Sequence, residues 1–191
     1  LLPFARAHTI KDSVDHEPWS FGPEVEHICR QALERRYRLL PYFYTLFREA
    51  STTGLPIARP LFFADPADSA LRAADDSFLL GADVLIRASV SRGIGVPADA
   101  EVRPGSGGPT PTQTASGRSP MPHANGCASP VPAGAWRRFE PIEEPDPALP
   151  ELRLRAGAII PMGPVMEYTD QRPLDPLTPV ICLNEAGHPP G

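Results

Sequence analysis

Arg6 and His8 stand two positions apart in the opening stretch LLPFARAHTI. Alternate residues of a strand point to the same face. A strand ending near Ala7 would therefore aim a guanidinium and an imidazole at one place, either as part of a polar binding site or as a plain structural pair. Asp12, Asp15 and Glu17 follow closely and invite comparison with a catalytic carboxylate pair. A short polar loop after a strand is ordinarily just solvated, and they are read that way. Tyr37, Tyr42, Tyr44 and Phe47 offer rings for stacking, but at helical spacing they read as core. His16, His27, His123 and His188 have no ligand-like spacing, so no metal and no cofactor is expected.

The elements that would position these groups begin with a helical signal over residues 23 to 54. Pro23 suits a first helical turn, and Glu24 and Glu26 suit the positive end of the helix dipole. Val25, Ile28, Cys29, Ala32, Leu33, Tyr37 and Leu40 recur at three-and-four spacing, which predicts one buried stripe. Pro41 should kink or restart the helix, and Gly54 with Pro56 should end it. GLPIARPLFF, 54 to 63, reads as a short buried strand with Pro60 near an end or edge. FLLGADVLIRASV, 78 to 90, reads as two short strands around a turn at Gly81.

Composition then changes. Residues 91 to 135 hold eight Pro and eight Gly and no Phe, Tyr or Trp. A segment of that kind buries too little apolar surface to offset its ordering entropy. It is expected to be an irregular loop or disordered, whether a true insertion or a reading-frame error in the source gene. Regular structure should resume at Trp136. Leu152, Leu154 and Ala156 alternate with Arg153 and Arg155 in a half-buried strand broken at Gly157, and Val180 to Leu183 forms a last strand. Helix and strand first, then strands only, predicts an α/β piece followed by an all-β piece, with a boundary between residues 63 and 76.

Bulk properties bound the function. A net charge of −5 gives no basic patch for tracking phosphates, so nucleic acid is not an expected partner. No apolar run is long enough to span a bilayer, so no membrane partner is expected. Cys29, Cys127 and Cys182 are odd in number and far apart. They suggest neither a disulfide framework nor a zinc knuckle, and they favour a reducing, cytoplasmic setting.

Seven segments together carry a family likeness: PFARAH at 3 to 8, EPW at 17 to 19, RRYRLLPYFYTLF at 35 to 47, GLPIARPLFF, FLLGADVLIRASV, PAGAW at 132 to 136 and LRAGAIIP at 154 to 161. In this order and spacing the chain resembles glycoside hydrolase family 31, the α-glucosidase and α-xylosidase family. The resemblance implies the C-terminal portion of a (β/α)8 TIM barrel plus a β-sandwich domain. Residues 1–64 would be the end of the barrel, with PIARPLFF near its closing strand, and 65–191 the proximal C-terminal β-sandwich. It implies a fragment of a retaining α-glycosidase acting on an α-glucoside, whose two catalytic carboxylates lie upstream of Leu1. The fragment would be inactive alone. His8 would contact the sugar being cleaved, and Arg6 would pair with a carboxylate and hold the site's shape. Glu17 and Trp19 would serve as helix-start structure against the barrel. An α-xylosidase or transglycosylase of the same family, or a non-catalytic sugar-binding module, is the alternative; the oligomeric state stays open.

Overall fold

A computed structural model of the chain describes residues 1–6, 8, 10, 15–88, 130–139, 148–169, 171–173, 177–184 and 186–188. Ala7, Asp12, His123, Cys127 and nearly all of the Pro/Gly-rich stretch lie outside the described residues.

Two helices come first, α1 at Pro23–Arg38 and α2 at Leu40–Thr53. Acidic Glu24 and Glu26 sit in the first turn of α1, and Arg35, Arg36 and Arg38 in its last, each complementing the dipole. The chain breaks at Leu39 and restarts, with Pro41 in the first turn of α2, where its missing N–H costs nothing. At the other end Gly54 takes the left-handed conformation and donates to the Ala50 carbonyl at 2.9 Å, closing the last turn.

Helix α2 supplies the packing. Leu39 at its cap with Tyr42, Phe43 and Leu46 forms the spacing of one helix face, and all four are buried. Burying a side chain of this size contributes about 1.5–3 kcal/mol. The stripe expected on α1 is covered far less. Val25, Ile28, Cys29, Ala32, Tyr37 and Leu40 are half-buried, and Leu33 is 54% exposed.

Beyond α2 the strands are short: β1 at Ala58–Pro60, β2 at Ser77–Leu80, β3 at Val84–Arg87, β4 at Trp136–Arg138, β5 at Glu151–Arg155, β6 at Ile159–Met162 and β7 at Thr178–Ile181. The first five form one sheet in the order β1-β2-β3-β5-β4, and β6 pairs with β7 in a separate ribbon. Every one of these pairings is antiparallel. The buried strand expected over 54 to 63 proves much shorter. Only Ala58–Pro60 is strand, lying against β2, and Leu61–Phe63 turns into a 3-10 helix once Pro60 has removed a ladder donor. The expected boundary at residue 64 falls between β1 and β2, two strands that pair.

Period-two alternation gives the five-stranded sheet two apolar faces. Leu80, Val84, Ile86, Leu152 and Leu154 join the α2 stripe in the main core, with Phe139 and with Ile160, Met162 and Cys182 from the ribbon side. Leu79 and Leu85, on the opposite face, form a smaller core with Leu61 and Leu71. Leu71 comes from α3, Ser69–Arg72, a single turn that the sequence pattern does not announce. The Asp68 carboxylate caps it by accepting the Ala70 N–H at 2.8 Å.

Gly157 makes the passage from sheet to ribbon. At φ +85 it holds a conformation that L side chains rarely adopt, while its N–H donates to the Cys182 carbonyl at 2.8 Å. The break expected at Gly157 thus separates two strands that lie in different sheets. The last strand starts at Thr178 rather than Val180 and stops at Ile181.

Candidate functional site

Arg6 and His8 do come together, by a route other than the expected strand. Among the described residues no strand runs through positions 1 to 10. Strand conformation needs a partner ladder, and no described strand lies alongside this segment. Contact is made instead between side chains, the Arg6 terminal guanidinium nitrogen lying 2.9 Å from His8 Nδ1. Both residues are exposed. Among the described residues no carboxylate pairs with Arg6; its partner is the imidazole.

The helices fix the segment that carries this pair. Arg36 on α1 donates to the carbonyls of Leu2 and Pro3, the second at 2.6 Å. The same guanidinium lies 4.9 Å from the Phe43 ring centroid, a cation–π contact with a buried ring of α2. Phe4 packs edge-on against Phe47, with centroids 5.7 Å apart at 73°. Residues 2 to 4 are thereby tied to both helices, two positions before Arg6.

The remaining candidates fall apart spatially. Asp15 and Glu17 are exposed, and the Glu17 carbonyl accepts the Ser20 N–H at 2.9 Å at the start of a 3-10 turn, Pro18–Phe21. Trp19 in that turn is 67% exposed. The reading of four core aromatics needs correction. Tyr42 is buried, Tyr37 is half-buried with its hydroxyl donating to the Glu167 carbonyl at 3.3 Å, and Tyr44 and Phe47 are 79% and 40% exposed. Tyr44 and Phe47 lie off the stripe set by Leu39, Tyr42, Phe43 and Leu46, so the helix turns them away from the sheet. Among the described residues no three His, Cys, Asp or Glu side chains are grouped to hold a metal ion.

One open cleft occurs elsewhere, between β4, β5 and β7, lined by Arg137, Arg138, Leu154, Val180, Ile181, Cys182 and Leu183. Sequence reasoning passed over it, because it forms from strand ends far apart in the chain. Burial pushes the Cys182 thiol above its usual range, with Arg137 opposing, which lowers its share of thiolate. Neither Arg6 nor His8 lines it.

Two polar groups couple helix to sheet. Arg59 on β1 is buried and bonds Glu49 of α2 at 2.7 Å while donating its Nε–H to the Pro56 carbonyl at 2.8 Å. The carboxyl of Asp83, in the β2–β3 turn, is raised above the ordinary aspartate range, chiefly by burial, with Arg155 opposing.

Comparison with known proteins gives this arrangement a family. Residues 1–46 match the glycosyl hydrolases family 31 TIM-barrel domain. A probable glucan 1,3-alpha-glucosidase of Arabidopsis thaliana is 44% identical over 91 residues, covering 48% of this chain and 10% of that protein. The protein of the same description from Oryza sativa subsp. japonica is 31% identical over 193 residues, covering 96% of this chain and 18% of its own length. Among solved structures, a family 31 alpha-glucosidase from Bacteroides thetaiotaomicron superimposes with a TM-score of 0.70 at 38% identity, covering 96% of this chain and 25% of that one. The chain thus spans a quarter or less of each protein it matches here. The resemblance read from PFARAH through LRAGAIIP holds, and the chain belongs to glycoside hydrolase family 31, a family of glycosidases.

Proposed function

We propose that this chain works as part of a retaining α-glycosidase that hydrolyses terminal, non-reducing α-linked glucose. The observation that carries the reading is the match along 96% of the chain, at 38% identity, to an alpha-glucosidase from Bacteroides thetaiotaomicron. Retention of configuration demands two carboxyls about 5–5.5 Å apart, one a nucleophile and one an acid/base. In this reading they stand on barrel strands upstream of Leu1, so neither role goes to Asp15 or Glu17. Residues 1–64 contribute to the barrel and 65–191 to the proximal β-sandwich.

His8 is the sugar contact in this scheme. Its exposed ring, carried by a segment tied to α1 and α2, can hydrogen-bond a ring hydroxyl of the glucose being cleaved. Bonds to sugar hydroxyls that tighten in the oxocarbenium-like transition state add several kcal/mol to catalysis. Exposed apolar side chains support a larger assembly. Phe4, Trp19, Phe21, Leu33 and Tyr44 all face solvent from the opening segment, the 3-10 turn and the first two helices, and large exposed apolar groups of this kind mark a contact surface. The occupant proposed for it is the rest of the barrel.

The test is a chimera in which this chain replaces the aligned segment of the Bacteroides enzyme. Release of p-nitrophenol from an α-glucoside is expected from the chimera and not from the isolated 191-residue chain. Turnover by the isolated chain, or a well-folded chimera without activity, would overturn the proposal.

A further inference from the structure

We propose that Arg6 is a positioning residue that selects the tautomer of His8, holding Nδ1 as an acceptor so that Nε2 carries the proton. The inference rests on the reading of His8 as the sugar contact, and deepens it. A guanidinium has five N–H donors and no acceptor. Its terminal nitrogen stands 2.9 Å from His8 Nδ1, a hydrogen-bond distance. A proton on Nδ1 would set one N–H against another at that distance, so in the neutral ring the proton belongs on Nε2. Which ring nitrogen is protonated follows from the bond the other one makes.

The choice of tautomer sets what the ring can recognise. With Nδ1 occupied, neutral His8 offers a ligand one donor and no acceptor. It selects a hydroxyl oxygen that receives a hydrogen bond, and that hydroxyl keeps its own proton for a second partner such as a carboxylate. Polyhydroxylated ligands meet this demand, and a group with only donors does not. Because Arg36 ties residues 2 and 3 to α1 while Phe4 packs on Phe47, the bond is made on an anchored segment.

The test reads the tautomer directly and needs no sugar. The chain is labelled with 15N-histidine, and its ring nitrogens are observed by NMR at a pH where imidazole is neutral, in solution or as a precipitate by magic-angle spinning. Loss of signals in His8→Gln identifies those of His8. The expected result is a single Nε2–H tautomer that becomes a mixture in Arg6→Met. A His8 ring protonated on Nδ1, or an Arg6→Met spectrum unchanged from the parent, would overturn the inference. Either result would leave the sugar-contact reading standing, since that is tested separately by turnover of the chimera.

Discussion

The Tyr42 hydroxyl of α2 donates to the Leu80 carbonyl of β2 at 3.0 Å, joining the segment that matches the family's barrel domain to the antiparallel sheet beyond it. Around this bond the α2 stripe and one sheet face form one core. Helix α2 is therefore a joint, buried on the sheet side and exposed at Tyr44 and Phe47. Tyr42→Phe should cost about 0.5–1.5 kcal/mol, because it removes one buried hydrogen bond while changing little volume. Chemical denaturation of parent and variant checks this.

Gly81 is the tightest point of the joint. Its φ is +64, and a Cβ built there would lie 2.5 Å from Leu46 Cδ2 and 2.6 Å from the Tyr42 hydroxyl. Gly81→Ala should destabilise by about 2–4 kcal/mol, through left-handed backbone strain plus overpacking. Gly134→Ala is the control. Its φ is +114, but nothing lies within 4 Å of a Cβ there, so it carries the backbone strain alone and should cost less in thermal melts.

Arg59 and Glu49 hold the far end of α2 against β1. The Arg59 side chain is 8% exposed and that of Glu49 is 35% exposed, so neutralising the acid leaves a largely buried cation without its counter-charge. Glu49→Gln should cost about 1–3 kcal/mol, below the figure for a fully buried pair because solvent reaches Glu49. A loss that disappears in molar salt would show that the pair is screened like a surface one.

Asp83 sets a pH dependence. Burial raises its carboxyl in the folded chain, so the folded state binds the proton more tightly than the unfolded state does. Its contribution is therefore fully present below the unfolded value and lost as pH rises through the folded one. Asp83→Asn should be more stable than the parent at pH 7, with the gap narrowing as pH falls into the carboxylate range. Melting temperatures at pH 4 and pH 7 check the sign.

What could be read in advance was local. The restart at Pro41 and the end at Gly54 follow from single residues, and the β2 and β3 strands follow from the turn at Gly81. The β1–β2 and β4–β5 pairings join residues far apart in the chain, and no periodicity encodes a partner at that distance. The single turn of α3 depends on one cap, Asp68, and is too short to show a stripe. Tyr44 and Phe47 read as core from helical spacing, but they lie off the stripe of Leu39, Tyr42, Phe43 and Leu46 and are exposed. The Arg6–His8 contact was legible from its spacing, although side chains and not a strand bring it about.

The most direct test of the account is the turnover of the chimera with His8→Ala. A fall in kcat of roughly 100-fold on an α-glucoside, with KM changed far less, is the result expected when a donor acts mainly in the transition state. A kcat equal to that of the parent chimera would contradict the assignment of His8 to the sugar.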